Sequence, residues 1–432
     1  MVRRFLRQFD ARASVSGATS GEQPLSKNRT ISTSSQKPVP GKPGNRHNST
    51  FGVVAARTAL ALLFGAGLFL SVTPAGRATA RTAFLVAAVI SASQPAPLNL
   101  LEEPVRHIQK TVPSRGGTVY LDIYEPATPA PPLSRALEGI VIIPGVGDNR
   151  NVPQLINLSL ALAHVGIVVE NITTPTLMHN DISAVDSDAV VQAFNFLSHW
   201  PGVGADRIGI GGFSGGGTLA YLAAADTRIR DRISFIVLFG AYFNAETVLR
   251  AYGQRAIIVD GKLVPWYPTQ YPLQVLANVM SDGLPPLDGS LLVSAFIPGG
   301  KPLTSNKLAQ MSPPAVAAYH LLEGDEPGRV HENMAALSPQ LHALLNTLSP
   351  SSVINKVHAP IYLLHSRDDS SLPITESQAF AAALARIHRP YDFVEFGIFQ
   401  HVEVATGHSL TQILGDALTL FRVLYKVLLP GS

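Results

Sequence analysis

From about Thr118 onward, short apolar runs alternate with longer stretches in which apolar residues return every three or four positions. The short runs "TVYLDIY", "GIVIIPG", "GIVVENI", "RIGIGG", "RISFIVLFG", "APIYLLHS" and "YDFVEF" have the length and β-branched content of strands. The inner ones are apolar throughout, the pattern of strands buried on both faces of a parallel sheet. Between them, "VPQLINLSLALAHV", "SAVDSDAVVQAFNFLSHW", "GGTLAYLAAA", "ESQAFAAALARIH" and "SLTQILGDALTLFRVLYKVLL" carry helical periodicity. This alternation predicts an α/β fold: a mostly parallel central sheet with helices on both faces.

One interval breaks the rhythm. Between Gly240 and Ala359 no run matches the other strands, and segments such as "AETVLRAYGQ", "PLQVLANVMSD", "PPAVAAYHLLEGD" and "HENMAALSPQLHALLNTL" read as helices. They predict a helical lid insertion over about 245–352, within a domain spanning 95–432.

Upstream of that domain the pattern changes twice. Residues 1–50 are rich in Ser, Thr, Pro, Gly and Lys and carry nine Lys or Arg against two acids, so the net charge of +3 is concentrated in this tail. Too few apolar groups are present to offset the entropy of ordering, which predicts a disordered basic tail. No nucleic-acid partner is expected. The run from Phe51 to Thr73 is apolar except for Arg57 and reaches spanning length, about 18 residues, if Arg57 snorkels to the headgroups. A second run, Thr82 to Ser93, has the character of the return limb of a hairpin, a signal-peptide core or an interfacial helix. Residues 51–94 are therefore expected to form a membrane anchor of one span or a short hairpin. The basic tail holds the N-terminus in the cytoplasm, leaving the large domain outside with one span and inside with two. The absence of cysteine excludes disulfides, thiolate metal sites and a Cys nucleophile.

Candidate chemistry concentrates in "IGIGGFSGGGTLA", Ile208 to Ala220. A dinucleotide fingerprint needs a third glycine where Ser214 stands, and a phosphate-binding P-loop needs lysine where Gly217 stands. The stretch fits G-x-S-x-G instead, with Gly212, Ser214 and Gly216. A strand-to-helix turn that projects a serine clear of a sheet is so tight that a Cβ two residues to either side would clash, hence Gly212 and Gly216. Gly215 offers an amide to a developing oxyanion at the helix N-terminus. A serine needs a base, and the base a carboxylate to fix its tautomer. Downstream, "IYLLHSRDDSSLP" sets Asp368 and Asp369 just after an apolar strand, and "FVEFGIFQHVEV" sets His401 in a loop after the next.

On these residues the chain from about 110 to 428 resembles the α/β-hydrolase fold, near its dienelactone-hydrolase-like and peptidase-like esterase branches. The elbow "GGFSGGG" and the frame His365, Asp369, Pro373 carry the resemblance. It implies Ser214 as nucleophile, His401 as base and Asp369 as acid, with Asp368 the runner-up and Glu246 a remoter candidate. It implies an oxyanion hole from the backbone amides of Val146, in "IIPGVGDNR", and Gly215. Two positions depart from the family: Pro144 replaces a histidine that often braces this loop, and Ser366 replaces a glycine. His365 reads as a hydrogen-bonded core residue, and His408 as the start of the last helix. The cluster His179, Asp181, Asp186 and Asp188 matches no metal template and reads as capping at a solvated helix start. Trp266, Tyr267 and Tyr271 line an acyl pocket or pack a Pro-rich loop. The expectation is a serine hydrolase acting on an ester with an apolar or lipid-like acyl group, without metal or cofactor. Peptidase and acyltransferase remain open on the same residues, as does a catalytically idle binding protein of this fold.

Overall fold

The described residues of this computed structural model are 62, 65–90, 104–127, 137–405 and 407–431. The chain divides into one unit ending at Leu62 and another of Leu63–Ser432, and the architecture below is that of the second. Helix α1 (Pro74–Ile90) precedes strands β1 (Val105–Ser114), β2 (Gly117–Pro126) and β3 (Leu137–Ile143). Then come α2 (Pro153–His164), β4 (Ile167–Thr173), α3 (Asp186–Leu197), β5 (Val203–Phe213), α4 (Gly215–Ala224) and β6 (Ile233–Phe239). An insertion contributes α5 (Ala245–Gln254), a hairpin of β7 (Ala256–Val259) and β8 (Lys262–Pro265), α6 (Gln270–Ser281), α7 (Pro286–Phe296), α8 (Pro313–Glu323), α9 (Val330–Ala335) and α10 (Pro339–Thr347). The chain returns through β9 (Ile361–Ser366), α11 (Ile374–Arg386), β10 (Tyr391–Phe396) and α12 (Leu410–Leu428).

The eight-stranded sheet has the order β1-β2-β4-β3-β5-β6-β9-β10. Pairing is antiparallel for β1 with β2 and β2 with β4, and parallel across the rest. Strands alternate their side chains, so each inner apolar run feeds two cores at once. Val141, Ile210 and Leu238 face α3, α4 and α11, where Phe194, Tyr221 and Phe380 fill the layer. Ile140, Val169, Phe239 and Leu364 face the opposite layer, packed by Leu85, Leu155 and Leu420 of α1, α2 and α12. The insertion has its own core around Leu249, Leu292, Leu321 and Leu341.

Several expectations are corrected. Residues 82–90 are not a membrane limb: they complete α1, which buries Ala78, Thr82, Leu85 and Ala88 against the domain. An apolar stripe every three or four residues serves a core as well as a bilayer, and here it serves the core. Helix α1, upstream of the expected boundary at residue 95, thus packs as part of the domain. Residues 65–72 are helical and exposed, with Leu68 53% and Val72 61% accessible. Among the described residues no helix is long and apolar enough to cross a membrane. The tail of residues 1–50 and the anchor's positions 51–61 and 91–94 lie outside the described residues. Strand β1 went unread because, as a half-exposed edge strand, it carries Arg, His, Gln and Lys. The insertion does contain strands, turned by Asp260 and Gly261, the Asp-Gly pair of a two-residue hairpin. "HENMAALSPQLHALL" is two helices, because Ser338 caps the second and Pro339 opens it.

Candidate active site

Ser214 stands between β5 and α4 with φ 54° and ψ −133°, a conformation that disfavours any residue with a Cβ. Its backbone N–H donates to the Phe239 carbonyl at 2.8 Å, which ties the turn to β6. A Cβ on Gly212 would lie 2.5 Å from the Gly216 carbonyl oxygen, and one on Gly216 2.5 Å from that of Ile143. These contacts are backbone to backbone and have no side chain to yield.

The acid loop and the histidine loop meet beside this turn. His401 Nδ1 lies 2.7 Å from Asp369 Oδ2. Asp369 is 2% exposed, and its other oxygen accepts the N–H groups of Ser371 and Leu372 at 2.7 and 2.9 Å. Burial raises its carboxyl, but hydrogen bonds from His365 and His401 together with their charges outweigh it and hold the group well below its ordinary value. An ionised carboxylate only accepts, so the Nδ1–H of His401 is the donor of this bond and Nε2 is the ring nitrogen left for other partners. Asp368 is exposed next door. Glu246 is not at the site: it pairs with His342 of the insertion at 2.6 Å. His365 is fully buried, with Nδ1 2.7 Å from Ser377 Oγ and Nε2 3.1 Å from the Leu372 carbonyl, a core histidine that also lies 3.3 Å from Asp369 Oδ2.

The histidine loop is held at both ends. His401 itself has φ 56°, a glycine-favouring value, in the turn between the paired residues Phe399–Gln400 and Glu403–Val404. Asp416 of α12 accepts the N–H groups of Gly397 and Ile398 at 2.7 and 2.8 Å. The Ser366 hydroxyl donates to the Phe399 carbonyl, so the residue that departs from the family's glycine adds a tie that glycine could not make. Beneath, Gly240 at φ 63° leaves room for the pair: a Cβ there would come 3.2 Å from His401 Cε1 and 3.5 Å from Asp369 Oδ2. His408 precedes Ser409, which caps α12.

On the other side of Ser214 lies the loop after β3. Gly145 and Gly147 have φ 99° and 97° and set Val146 between them, so close to α4 that a Cβ on Gly215 would be 3.1 Å from Val146 Cγ2. Among the described residues no acceptor engages the backbone N–H of Val146 or of Gly215. The Val146 carbonyl, in contrast, accepts the Asn149 amide at 2.8 Å and the Tyr271 hydroxyl at 2.8 Å. Tyr271 comes from α6 of the insertion, so a lid residue takes up bracing that Pro144 cannot supply. The remaining aromatics of that segment separate: Trp266 is buried on Tyr252 and donates to the Asp369 carbonyl at 2.7 Å, whereas Tyr267 is exposed. Sequence reasoning missed the bracing by Asn149, Trp266 and Asp416: the partners of Trp266 and Asp416 are distant in the chain, and the Asn149 bond to Val146, three residues away, is set by the shape of the turn rather than by a motif.

The acidic cluster near His179 is not a solvated helix start. Asp186 and Asp188 are buried; Asp186 accepts from Thr174 and the Ser183 N–H, and Asp188 from Arg228 and the Arg115 N–H. Asp181 sits near Asp282 of the insertion, and burial, opposed by its bond from the Ile182 N–H and reinforced by Asp282 and Asp186, lifts its carboxyl to about 6.

A serine on a strained turn after β5, and a carboxylate and a histidine on loops after later strands, lie in one chain order at one end of a mostly parallel sheet. The architecture is the α/β-hydrolase fold. No family model and no curated protein sequence matches the chain. Solved structures of this hydrolase fold do. One is a puromycin-hydrolyzing peptidase of Mycobacterium tuberculosis, 15% identical over 75% of this chain and 39% of that one, TM-score 0.44. An acylaminoacyl peptidase of Pyrococcus horikoshii is 14% identical over 77% and 43%, TM-score 0.44. An esterase of Pyrobaculum calidifontis is 15% identical over 81% and 90%, TM-score 0.42. The chain thus spans less than half the length of these two peptidases and most of the esterase.

Proposed function

We propose that the protein is a serine hydrolase that cleaves a carboxylic ester through an acyl-enzyme. The observation that carries this reading is the buried Asp369 bonded at 2.7 Å to His401, which lines the same apolar cavity as Ser214. In the proposed cycle His401 Nε2 takes the Ser214 proton as Oγ attacks the acyl carbon, and Asp369 stabilises the imidazolium that results. The unengaged amides of Val146 and Gly215 receive the oxyanion of the tetrahedral intermediate. The protonated His401 then gives its proton to the leaving alkoxide, and water, activated by the same nitrogen, releases the acid. Ser214 Oγ makes no hydrogen bond among the described residues, and in the proposed cycle its contact with His401 tightens in the complex with substrate. No step requires a metal or cofactor.

A fluorophosphonate probe tests this reading on the full chain. Labelling of the wild type but not of Ser214→Ala supports it; a folded protein that resists the probe refutes it and leaves the idle binding protein. An apolar acyl group is favoured over a peptide because the cavity walls beside Ser214 carry chiefly Leu, Val, Ile and Phe. Comparing ester with amide turnover separates esterase from peptidase, and added alcohol acceptors expose an acyltransferase.

Attachment to a membrane through residues 51–73, N-terminus inside, belongs to the same proposal. It is supported by the apolar run and by the exposure of Leu68, Phe69 and Val72 where that run emerges. With residues 82–90 used by the domain, a single crossing places the hydrolase on the far side from the N-terminus. A reporter fused after Ser432 that is active only in the cytoplasm would overturn that placement.

A further inference from the structure

The cavity that holds Ser214 and His401 has a volume of about 530 Å3, and it does not end beneath the insertion. It continues past Phe213 along the face of the sheet that carries Ile140, Ile142 and Phe235. The outer wall of this arm is formed by Leu85 and Ala88 of α1, Leu158 of α2 and Leu424 of α12. From Leu420 to Leu428 the lining of α12 alone extends about 12 Å at the helical rise of 1.5 Å per residue. Gln154 and Asn157, on the first half of α2, contribute polar groups, and Glu138 closes the far end. The Glu138 carboxylate is held there by Arg81 at 2.5 Å and Arg207 at 2.9 Å.

An apolar space of this size forfeits packing contacts on every side, which a core without a use for it would recover by collapse. Its lining runs from Ser214 to Glu138 through chiefly apolar side chains, with a nucleophile at one end and an ion cluster at the other, which suits a flexible aliphatic chain. We propose that this arm, between the sheet and helices α1, α2 and α12, receives an unbranched aliphatic acyl chain of medium to long length. The inference rests on the serine-hydrolase reading for its chemistry and on the cavity for its specificity. The acyl carbonyl sits at Ser214 while the alcohol portion of the ester lies toward Tyr271 and the insertion. As the bond from Ser214 Oγ to the acyl carbon forms, the ester C–O bond breaks and the serine proton leaves with the alcohol by way of His401. The chain therefore points away from the lid, and helix α1, which joins the domain to the apolar segment upstream, becomes part of the substrate site.

Two measurements on the full-length protein test this. The first is turnover of p-nitrophenyl esters from butyrate to laurate, where kcat/KM rises about fourfold for each methylene that enters the arm, then levels once the chain meets Glu138. That factor converts the ~0.8 kcal/mol of burying one CH2. In Ala88→Phe and in Leu158→Trp, which fill the arm from different helices, the laurate-to-butyrate ratio falls at least tenfold while butyrate turnover persists and reports a folded site. The second is calorimetric titration of Ser214→Ala with lauric acid, which binds and is excluded by the same two fillings. A flat chain-length profile, or a ratio and a titration untouched by both fillings, overturns the inference. Fatty-acid binding without ester turnover or fluorophosphonate labelling keeps the arm and removes the hydrolase; butyrate turnover without fatty-acid binding does the reverse.

Discussion

The two sides of Ser214 are held in place by different means. On the base side the contacts to the Asp369 carboxylate and the His401 loop come from the sheet, its loops and its crossover helices: Asp369 is saturated by two backbone N–H groups and two histidines, and the His401 loop is pinned by Asp416 and Ser366, while the insertion adds Trp266 at the Asp369 backbone carbonyl. On the oxyanion side the loop around Val146 is steadied by Asn149 from within and by Tyr271 from the insertion. The carboxylate and imidazole proposed as acid and base are thus held chiefly from outside the insertion, whereas the position of the Val146 amide depends on helix α6. On the proposed mechanism, disturbing α6 should alter the stabilisation of charge at the acyl carbon more than the proton relay.

The largest expected effect breaks the base side. Asp369→Asn leaves the geometry but favours the wrong imidazole tautomer, and kcat should fall about 10⁴-fold; Glu246→Gln, on the insertion, should stay within a factor of two. Equal losses in both would return the acid to the insertion. Tyr271→Phe sharpens the contrast. Removing one hydrogen bond to the Val146 carbonyl should lower kcat about 3- to 10-fold, with fluorophosphonate labelling slowed to a similar degree and the pH profile unmoved. A shifted profile would tie Tyr271 to the base instead. Ser366→Ala acts on the His401 loop by a comparable single bond, and its expected signature is the opposite, a changed pH profile with a smaller loss of kcat.

The smallest effect concerns stability where the insertion meets the loop before α3. Asp181 titrates at about 6 in the folded protein, near Asp282 and Asp186, and near 4 when unfolded. Between those values the folded state holds the extra proton, so stability declines as pH rises through that window. Asp181→Asn should remove this decline, giving a higher Tm than wild type at pH 8 and an equal one at pH 4. Equal shifts at both pH values would contradict the assignment.

Features encoded within a few consecutive residues were legible in the chain, and features encoded by contact were not. The inner strands could be read because burial on both faces demands unbroken apolar runs such as "GIVIIPG". The elbow was legible because its steric conditions are written in Gly212 and Gly216, two residues from Ser214. Helix α1 misled because its apolar stripe carries no mark of whether protein or lipid will cover it, and β1 was silent because an edge strand need not be apolar. The Tyr271 brace joins positions 125 residues apart, and the cavity arm is a space among α1, α2 and α12 that no one segment describes.

The backbone of Ser214 has a consequence for anyone improving the protein. At φ 54° and ψ −133° the serine Cβ is a steric burden of about 1 kcal/mol or more, and its hydroxyl returns no hydrogen bond among the described residues to offset it. Glycine would occupy that spot more comfortably than serine. A library selected only for resistance to heat should therefore accumulate Ser214→Gly, a sturdier molecule with seven glycines in Ile208–Ala220 and no nucleophile. Selection for durability in this scaffold has to be coupled to a readout of turnover.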